Sequence, residues 1–401
     1  MAPAVAAMGA DRQPRVMTVD LRAGGPYSFP PQGRAYRENG ASHRVWRRVL
    51  IDAPDVIVVP GGQDFGLSAV GVPVMAERPK KILPSKLHSE QDARLTRPPK
   101  AWTAQLAGQY GQELRDMVYT LSFSVWGRLR AGHDEAVKGI LEPFLDGRID
   151  SLAKPTASHF SGHLTLASLF EKTGDARAKE RVIAAAKLAI QNPMHNEMSD
   201  AVFMICPLLA KAGTFTGDAT YFDAALRHFD IMRKLCLRSD GLYRHSPLDE
   251  AAWGRGNAFP LLGLALTLSD LPASHTLLEA FIKHADRLLN VQTPGGCWRQ
   301  IVDKEDAWEE FTATAMIGWA LKRGLDRKWL KGKKYEAAVT KAWLAVQRRT
   351  GADGVLIDVC ESTGKQKSLA DYYNREAIMA KDPRGGAMAL QFAAEMSGAT
   401  A

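Results

Sequence analysis

The chain has 401 residues, 46% hydrophobic and 24% charged, which is the balance of a folded globular protein and excludes wholesale disorder. Its net charge of +8 is unevenly placed: residues 1–100 carry 15 Lys/Arg against 9 Asp/Glu, and the rest carry 37 against 35. No apolar run approaches the roughly 18 residues of a membrane span; the longest, residues 259–268, already contains Pro260 and Gly263.

Residues 1–100 hold 12 of the 21 prolines, which lack the amide proton and interrupt helices. This stretch is predicted to be an irregular basic extension with two or three short strands, one at Val56-Ile57-Val58-Val59, and a partly disordered start. Its charge reads as a solvated positive face rather than a nucleic-acid surface, and no nucleic-acid or membrane partner is expected. The Gly61, Gly62 and Gly66 cluster lacks the Gly-Lys-Ser/Thr end of a phosphate loop. A charged start followed by a long apolar stretch is not visible at Met1–Arg15, and the four cysteines at 206, 236, 297 and 360 form no CxxC. Neither a zinc site nor a disulfide framework is expected from them, and a cytoplasmic protein is expected, although a removed secretion signal would give the same chain.

From about residue 103 the apolar residues recur three and four apart, which predicts about twelve helices. They fall at 103–130, 133–144, 158–172, 176–191, 200–212, 219–236, 256–269, 275–291, 308–322, 333–348 and 385–398, with a weaker one at 369–380. The one strand run is Gly354–Val359. Thr173-Gly174-Asp175 and Thr216-Gly217-Asp218 punctuate successive pairs: glycine supplies a left-handed helix end and aspartate caps the next helix. Ala320 to Gly324 reads as a third such stop. First-of-pair helices such as Ala201–Ala212 are apolar all round, whereas second-of-pair helices such as Tyr221–Leu235 are amphipathic. Buried helices wrapped by amphipathic ones make a double-layered (α/α)6 toroid of six hairpins, an all-α fold, over residues 101–401.

In such a ring the inner helices run parallel, and the loops before them converge at one mouth. Those loops carry Asn196 to Asp200, Tyr243-Arg244-His245, Trp253-Gly254-Arg255-Gly256-Asn257, Trp298-Arg299-Gln300 with Asp303, Glu310 to Thr314, Cys360 to Gly364, and Asp371-Tyr372-Tyr373. Tryptophan, arginine and carboxylate together suit an anionic sugar. Trp298 and Trp308 read equally as sugar platforms or core. His159 and His163, four apart on a helix, are either a metal pair lacking a third ligand or a buried structural pair.

Asp200-x-x-Phe203-Met204-x-x-Pro207-x-x-Ala210 followed by Thr216-Gly217-Asp218, and then Gly241 to His245 with Trp253-Gly254-Arg255-Gly256-Asn257, resembles the unsaturated glucuronyl and rhamnogalacturonyl hydrolases of glycoside hydrolase families 88 and 105. Gln300-x-x-Asp303, Thr312 to Ala315, Val359 to Gly364 and Asp382-Pro383-Arg384-Gly385 continue the pattern in order, over residues 150–400. The resemblance implies an (α/α)6 toroid that removes a 4,5-unsaturated uronic acid from the non-reducing end of lyase-generated oligosaccharides. It implies Asp200 as the acid that protonates C4 and then activates water. His245, Trp253, Arg255, Asn257, Trp298 and Gln300 would bind the small acidic oligosaccharide, without metal or cofactor. Two positions depart from the pattern. Met198 stands where the family carries an aromatic residue. Ala157, Ser158 and His159 stand where it carries a second acid. Another sugar enzyme on the same ring, an epimerase or a two-carboxylate glycosidase, and a non-catalytic carbohydrate-binding relative are the competing readings. Asp200 poses an electrostatic conflict: a helix start favours the charged carboxylate, whereas an apolar pocket favours the neutral acid. Its plain alternative role is a helix N-cap, for which Ser199 is equally suited.

Overall fold

The computed structural model describes residues 13–21, 27–191, 197–272 and 275–399. The expected disordered start and Asn196 lie outside them.

The first part is more regular than the prolines suggest. It contains β1 (Val16–Thr18), α1 (Gly40–Asp52), β2 (Val56–Val58), a short 3-10 turn (Leu67–Val70), β3 (Val74–Met75) and α2 (Lys86–Leu95). The strands form a parallel sheet in the order β1-β2-β3, with Ile57 opposite Met17 and Val74. Val49, Ala53, Ile57, Val59, Leu67 and Leu87 close a small core of their own. Helix α1 escaped prediction because its apolar stripe, Val45, Trp46 and Val49, is short and crowded by arginines. Several basic residues here are not solvated. Arg94, only 8% exposed, donates to the Thr350 carbonyl, and Arg47 lies in an ion-pair network against the helical part.

Pro99 then opens α3 (Pro99–Gln109) at its first turn, where a missing amide proton costs nothing. There follow α4 (Tyr119–Arg130), α5 (Asp134–Leu145), α6 (Ala157–Gly162), α7 (Leu164–Thr173), α8 (Ala176–Gln191), α9 (Ala201–Thr216), α10 (Ala219–Cys236), α11 (Gly254–Asp270) and α12 (His275–Leu289). The chain continues through the hairpin β4 (Trp298–Arg299) and β5 (Glu309–Glu310), then α13 (Phe311–Asp326), α14 (Lys333–Arg348), β6 (Leu356–Cys360), α15 (Leu369–Tyr373), β7 (Ala377–Ala380) and α16 (Pro383–Met396).

Helices α4, α6 with α7, α9, α11, α13 and α16 pack each on the next, and α16 returns to α4. Helices α5, α8, α10, α12, α14 and α3 lie against them in turn. This is the (α/α)6 toroid, and its sixth hairpin is made of two distant pieces of chain, α16 and α3. The apolar helices are the inner ones: every residue of α11 from Gly254 to Thr267 is buried. Gly174 and Gly217 end α7 and α9 in the left-handed conformation, and Asp218 caps α10 through the Thr220 amide. Gly324 is not a stop. It lies inside α13, where a Cβ would sit 2.8 Å from Leu330 and 2.9 Å from Phe281, so its smallness serves packing. The long helix expected at 103–130 is broken between Gln109 and Tyr119, and the one at 158–172 is interrupted at His163.

Candidate active site

Asp200 stands at the N-terminus of α9 but caps nothing: no helix amide donates to its side chain. Ser199 does not cap either, since its hydroxyl donates to the Gly256 carbonyl at 2.6 Å. The carboxylate instead turns to the α10–α11 loop, where its Oδ1 lies 3.1 Å from Nε2 of His245. The two atoms are not aligned for a hydrogen bond, and both are buried polar atoms without another partner among the described residues. On the other edge of the imidazole, Nδ1 lies 2.8 Å from the Tyr372 hydroxyl. That hydroxyl accepts the Gln366 amide proton, and burial raises its pKa, so it remains a protonated donor. If Tyr372 donates to Nδ1, the neutral imidazole carries its proton on Nε2, the nitrogen nearer Asp200.

The loop before α11 builds the rest. Gly254 brings its backbone against the Gln300 carbonyl at 2.7 Å, which pins this loop to β4. A Cβ on Gly256 would sit 3.1 Å from Trp253 and 3.2 Å from the Ser199 hydroxyl, so glycine eases the close approach of the loops here. Trp253 packs against the His245 ring at 4.4 Å between centroids and the Arg255 guanidinium at 4.6 Å. Its indole nitrogen donates to Gln300 Oε1 at 3.2 Å, and Gln300 in turn donates to the Tyr372 carbonyl. Arg255 donates to Thr312 Oγ1 at 3.1 Å, to the Cys360 carbonyl at 2.9 Å and to the Glu361 carbonyl at 2.8 Å.

Of the seven residues the sequence pointed to, five cluster here: Asp200, His245, Trp253, Arg255 and Gln300. Asp200, with a side chain 13% exposed, is the most open, whereas Trp253 is 1% and Arg255 2% exposed. Trp253 and Gln300 hold their neighbours in place through the indole and amide hydrogen bonds. Asn257 is a staple: it accepts the Tyr243 amide and donates to the Tyr243 and Trp253 carbonyls. Trp298 is buried core, its indole donating to the Leu288 carbonyl of α12 at 2.8 Å. Trp308 is partly buried against Tyr36.

Three further residues belong to the cluster. Tyr372 holds His245. Arg384 donates to the same Cys360 carbonyl as Arg255, and its side chain is 15% exposed. Tyr119, at the start of α4, packs its ring on Phe203 and Phe259. Burial raises its hydroxyl pKa, and the charges of Arg255, Arg384 and Asp200 all act on it. Arg384 and Tyr372 stood in sequence motifs, but nothing there distinguished them from helix caps and loop aromatics.

The other nearby carboxylate, Glu310, is committed elsewhere. It accepts the Thr312, Ala313 and Cys360 amides and the Thr312 hydroxyl. At the position of the absent acid, Ala157 is buried and His159 donates to Asp116 Oδ1 at 2.9 Å, with its Nδ1 engaged by Thr156 in a capping box. His163 faces Ser151 instead, so the two histidines do not converge. No group of three or more His, Cys, Asp or Glu suited to a metal ion occurs among the described residues. Burial raises the thiol pKa of Cys360 and pushes that of Cys297 to about 11, which leaves both as poor nucleophiles. A cavity of about 660 Å3 lies at the opposite end of the ring, lined by Arg130, Lys211, Arg323 and Glu395 among others. Those four are paired in ion pairs of their own.

The profile described as Glycosyl Hydrolase Family 88 matches residues 133–399, and the chain belongs to that family. It is 29% identical over 177 residues to an unsaturated 3S-rhamnoglycuronyl hydrolase of Formosa agariphila, covering 39% of this chain and 47% of that protein. It is 24% identical over 213 residues to the unsaturated rhamnogalacturonyl hydrolase YesR of Bacillus subtilis, covering 49% and 59%. The chain thus spans about half the length of the curated relatives it matches. Among solved structures, a possible GH105 member from Salmonella enterica superposes with a TM-score of 0.65 at 19% identity, covering 80% of this chain and 96% of that one. The unsaturated glucuronyl hydrolase of Streptococcus agalactiae gives 0.58 at 16%, covering 75% and 90%. These two likenesses carry the fold, the toroid expected from the helix pattern. Among the described residues no helix is long and apolar enough to cross a membrane.

Proposed function

We propose that this protein removes a 4,5-unsaturated uronic acid from the non-reducing end of oligosaccharides by hydrating its enol ether. Asp200 delivers a proton to C4. Water adds at C5 as the Asp200 carboxylate takes one of its protons. The resulting hemiketal opens and releases the aglycone. The observation that carries this reading is the Asp200 carboxylate, whose Oδ1 accepts no hydrogen bond among the described residues and lies against a buried histidine, while Glu310 is fully occupied. A one-acid hydration needs no second carboxylate, whereas ordinary glycoside displacement does.

His245, oriented by Tyr372 and Trp253, steadies Asp200 and reaches the sugar. Arg255 and Arg384, meeting at the Cys360 carbonyl, supply the positive field for the uronate carboxylate. Asn257, Gln300 and Trp298 hold the loops that carry these groups. The ring, residues 101–401, is the catalytic part in this reading, and the preceding residues are its extension. Both curated relatives are named for substrates containing rhamnose, which makes a rhamnose-linked aglycone the first choice. Four unpaired, buried cysteines support a cytoplasmic setting.

The test is a panel of lyase-generated disaccharides beside their saturated counterparts, with the released aglycone read by chromatography. Cleavage of the unsaturated members alone is expected. Cleavage of the saturated ones would indicate an ordinary glycosidase. Binding without cleavage would indicate a carbohydrate-binding relative.

A further inference from the structure

The extension is fastened to the two hairpins that carry the site. Arg34 pairs with Glu376 at 3.2 Å, Ala35 bridges Ala377 beside β7, and Arg37 donates to the Asn374 carbonyl. Between them Tyr36, in the left-handed conformation at φ 64°, stacks on Trp308 at 6.1 Å and donates its hydroxyl to Asp358 Oδ1 at 2.7 Å. Arg47, from α1, donates through Nε to the other Asp358 oxygen and through Nη2 to Glu309 Oε2 at 3.0 Å. Glu309 also receives Arg349.

Asp358 is completely buried, and it too adopts a left-handed conformation, at φ 66°. A buried carboxylate in that backbone state is tolerated only where its surroundings hold it. Here the holders are Tyr36 and Arg47, both outside the residues matched by the family profile. Two residues further along β6 comes Cys360, whose carbonyl receives Arg255 and Arg384, and then Glu361, whose carbonyl receives Arg255 again. On the neighbouring hairpin, the Trp308 carbonyl accepts the Gln300 amide at 2.7 Å, and Gln300 holds Trp253.

We propose that Tyr36 and Arg47 are positioning residues of the active site. By fixing Asp358 they set the β6 carbonyls that aim Arg255 and Arg384 at a bound carboxylate, and the Tyr36–Trp308 stack braces the β4–β5 hairpin behind Trp253. The inference rests on the reading of those arginines as carboxylate binders. It makes the extension part of the substrate site.

The test uses the full chain and compares Tyr36→Phe, Arg47→Lys and Arg47→Ala with Val49→Ala. Val49→Ala weakens the extension's core without touching Asp358. Two readouts are taken: KM and kcat on an unsaturated disaccharide, and glucuronate affinity from tryptophan fluorescence, with neutral glucose as control. Tyr36→Phe should raise KM and weaken glucuronate binding roughly 2- to 30-fold with kcat little changed. Arg47→Ala should do so more strongly, Arg47→Lys should restore part of the loss, and Val49→Ala should lower thermal stability alone. Unchanged KM and glucuronate affinity in Tyr36→Phe overturns the proposal, as does an equal change in Val49→Ala. If Arg47→Ala fails to fold, Tyr36→Phe and Arg47→Lys decide. Should the wild type turn over no disaccharide, the reaction is wrong; glucuronate affinity still decides the positioning role, and absence of any wild-type binding overturns it too.

Discussion

Asp200 and His245 lie 3.1 Å apart and differ in what surrounds them. His245 is completely buried and is gripped by Trp253 and Tyr372, whereas Asp200 keeps an edge toward solvent. Replacing Asp200 with Asn preserves shape and removes the transferable proton. Steady-state assays should therefore show kcat falling by about 10²- to 10⁴-fold, the usual worth of a positioned general acid, with KM changed far less. Tyr372→Phe removes the hydroxyl that bonds Nδ1 of His245. It is expected to lower kcat by roughly 10-fold, the loss of one buried hydrogen bond, and to alter the pH profile of kcat. At this scale the sequence was informative about identity and silent about orientation. Asp200 and His245 were readable because their motifs are ordered along the chain. That Trp298 and Asn257 face the fold, with their polar atoms bonded to main-chain groups, depends on which way each loop turns, and no spacing encodes that.

The elements meet closely where glycine permits it. Gly263 of α11 lies against α9, where a Cβ would stand 2.7 Å from the Phe203 backbone, three residues past Asp200. Gly263→Ala forces the two inner helices apart. Urea unfolding should show a loss of about 1–3 kcal/mol, the range for overpacking a core, and activity should fall with it because α9 starts at the proposed acid, Asp200. Helix boundaries were largely legible. The predicted 176–191, 219–236 and 333–348 coincide with α8, α10 and α14, since these outer helices are amphipathic and the first two start at a capping aspartate, Asp175 and Asp218. Inner helices gave blurred ends, because a helix buried on all sides loses its periodic signature. Gly324 was misread for the same reason: glycine marks a helix end by backbone freedom and a helix contact by lack of a side chain.

For the whole molecule, ring closure joins α16 to α3 and α4, and the charges at that seam decide acid stability. Burial alone would raise the carboxyl pKa of Glu395, but Arg323 and Arg130 outweigh it and hold it at about 2. A depressed carboxyl stabilises the fold above its unfolded pKa and loses that contribution as pH falls toward 2, on the order of 3 kcal/mol in all. Burial also lowers His163 and His284 to about 4, so both stay neutral when folded. Their unfolded counterparts take protons first, and stability therefore begins to fall below about pH 6.5. Thermal melts from pH 7 to pH 3 should show a midpoint falling in two stages, and Glu395→Gln should flatten the lower one. The ring itself was evident from paired helices, but its closure through α3 was not, because α3 and α16 lie at opposite ends of the helical part. The extension's role was equally hidden: Tyr36 and Arg47 acquire meaning only through Asp358, more than 300 positions away in the chain.

The most direct trial of the chemistry is the ultraviolet absorbance of the conjugated enol-ether carboxylate, followed on a lyase-generated, rhamnose-linked disaccharide with wild type and Asp200→Asn side by side. Steady loss of absorbance with the wild type and its near abolition in the variant is the predicted result. Aglycone release that leaves the absorbance intact, or equal rates in the two proteins, would contradict protonation of the double bond by Asp200.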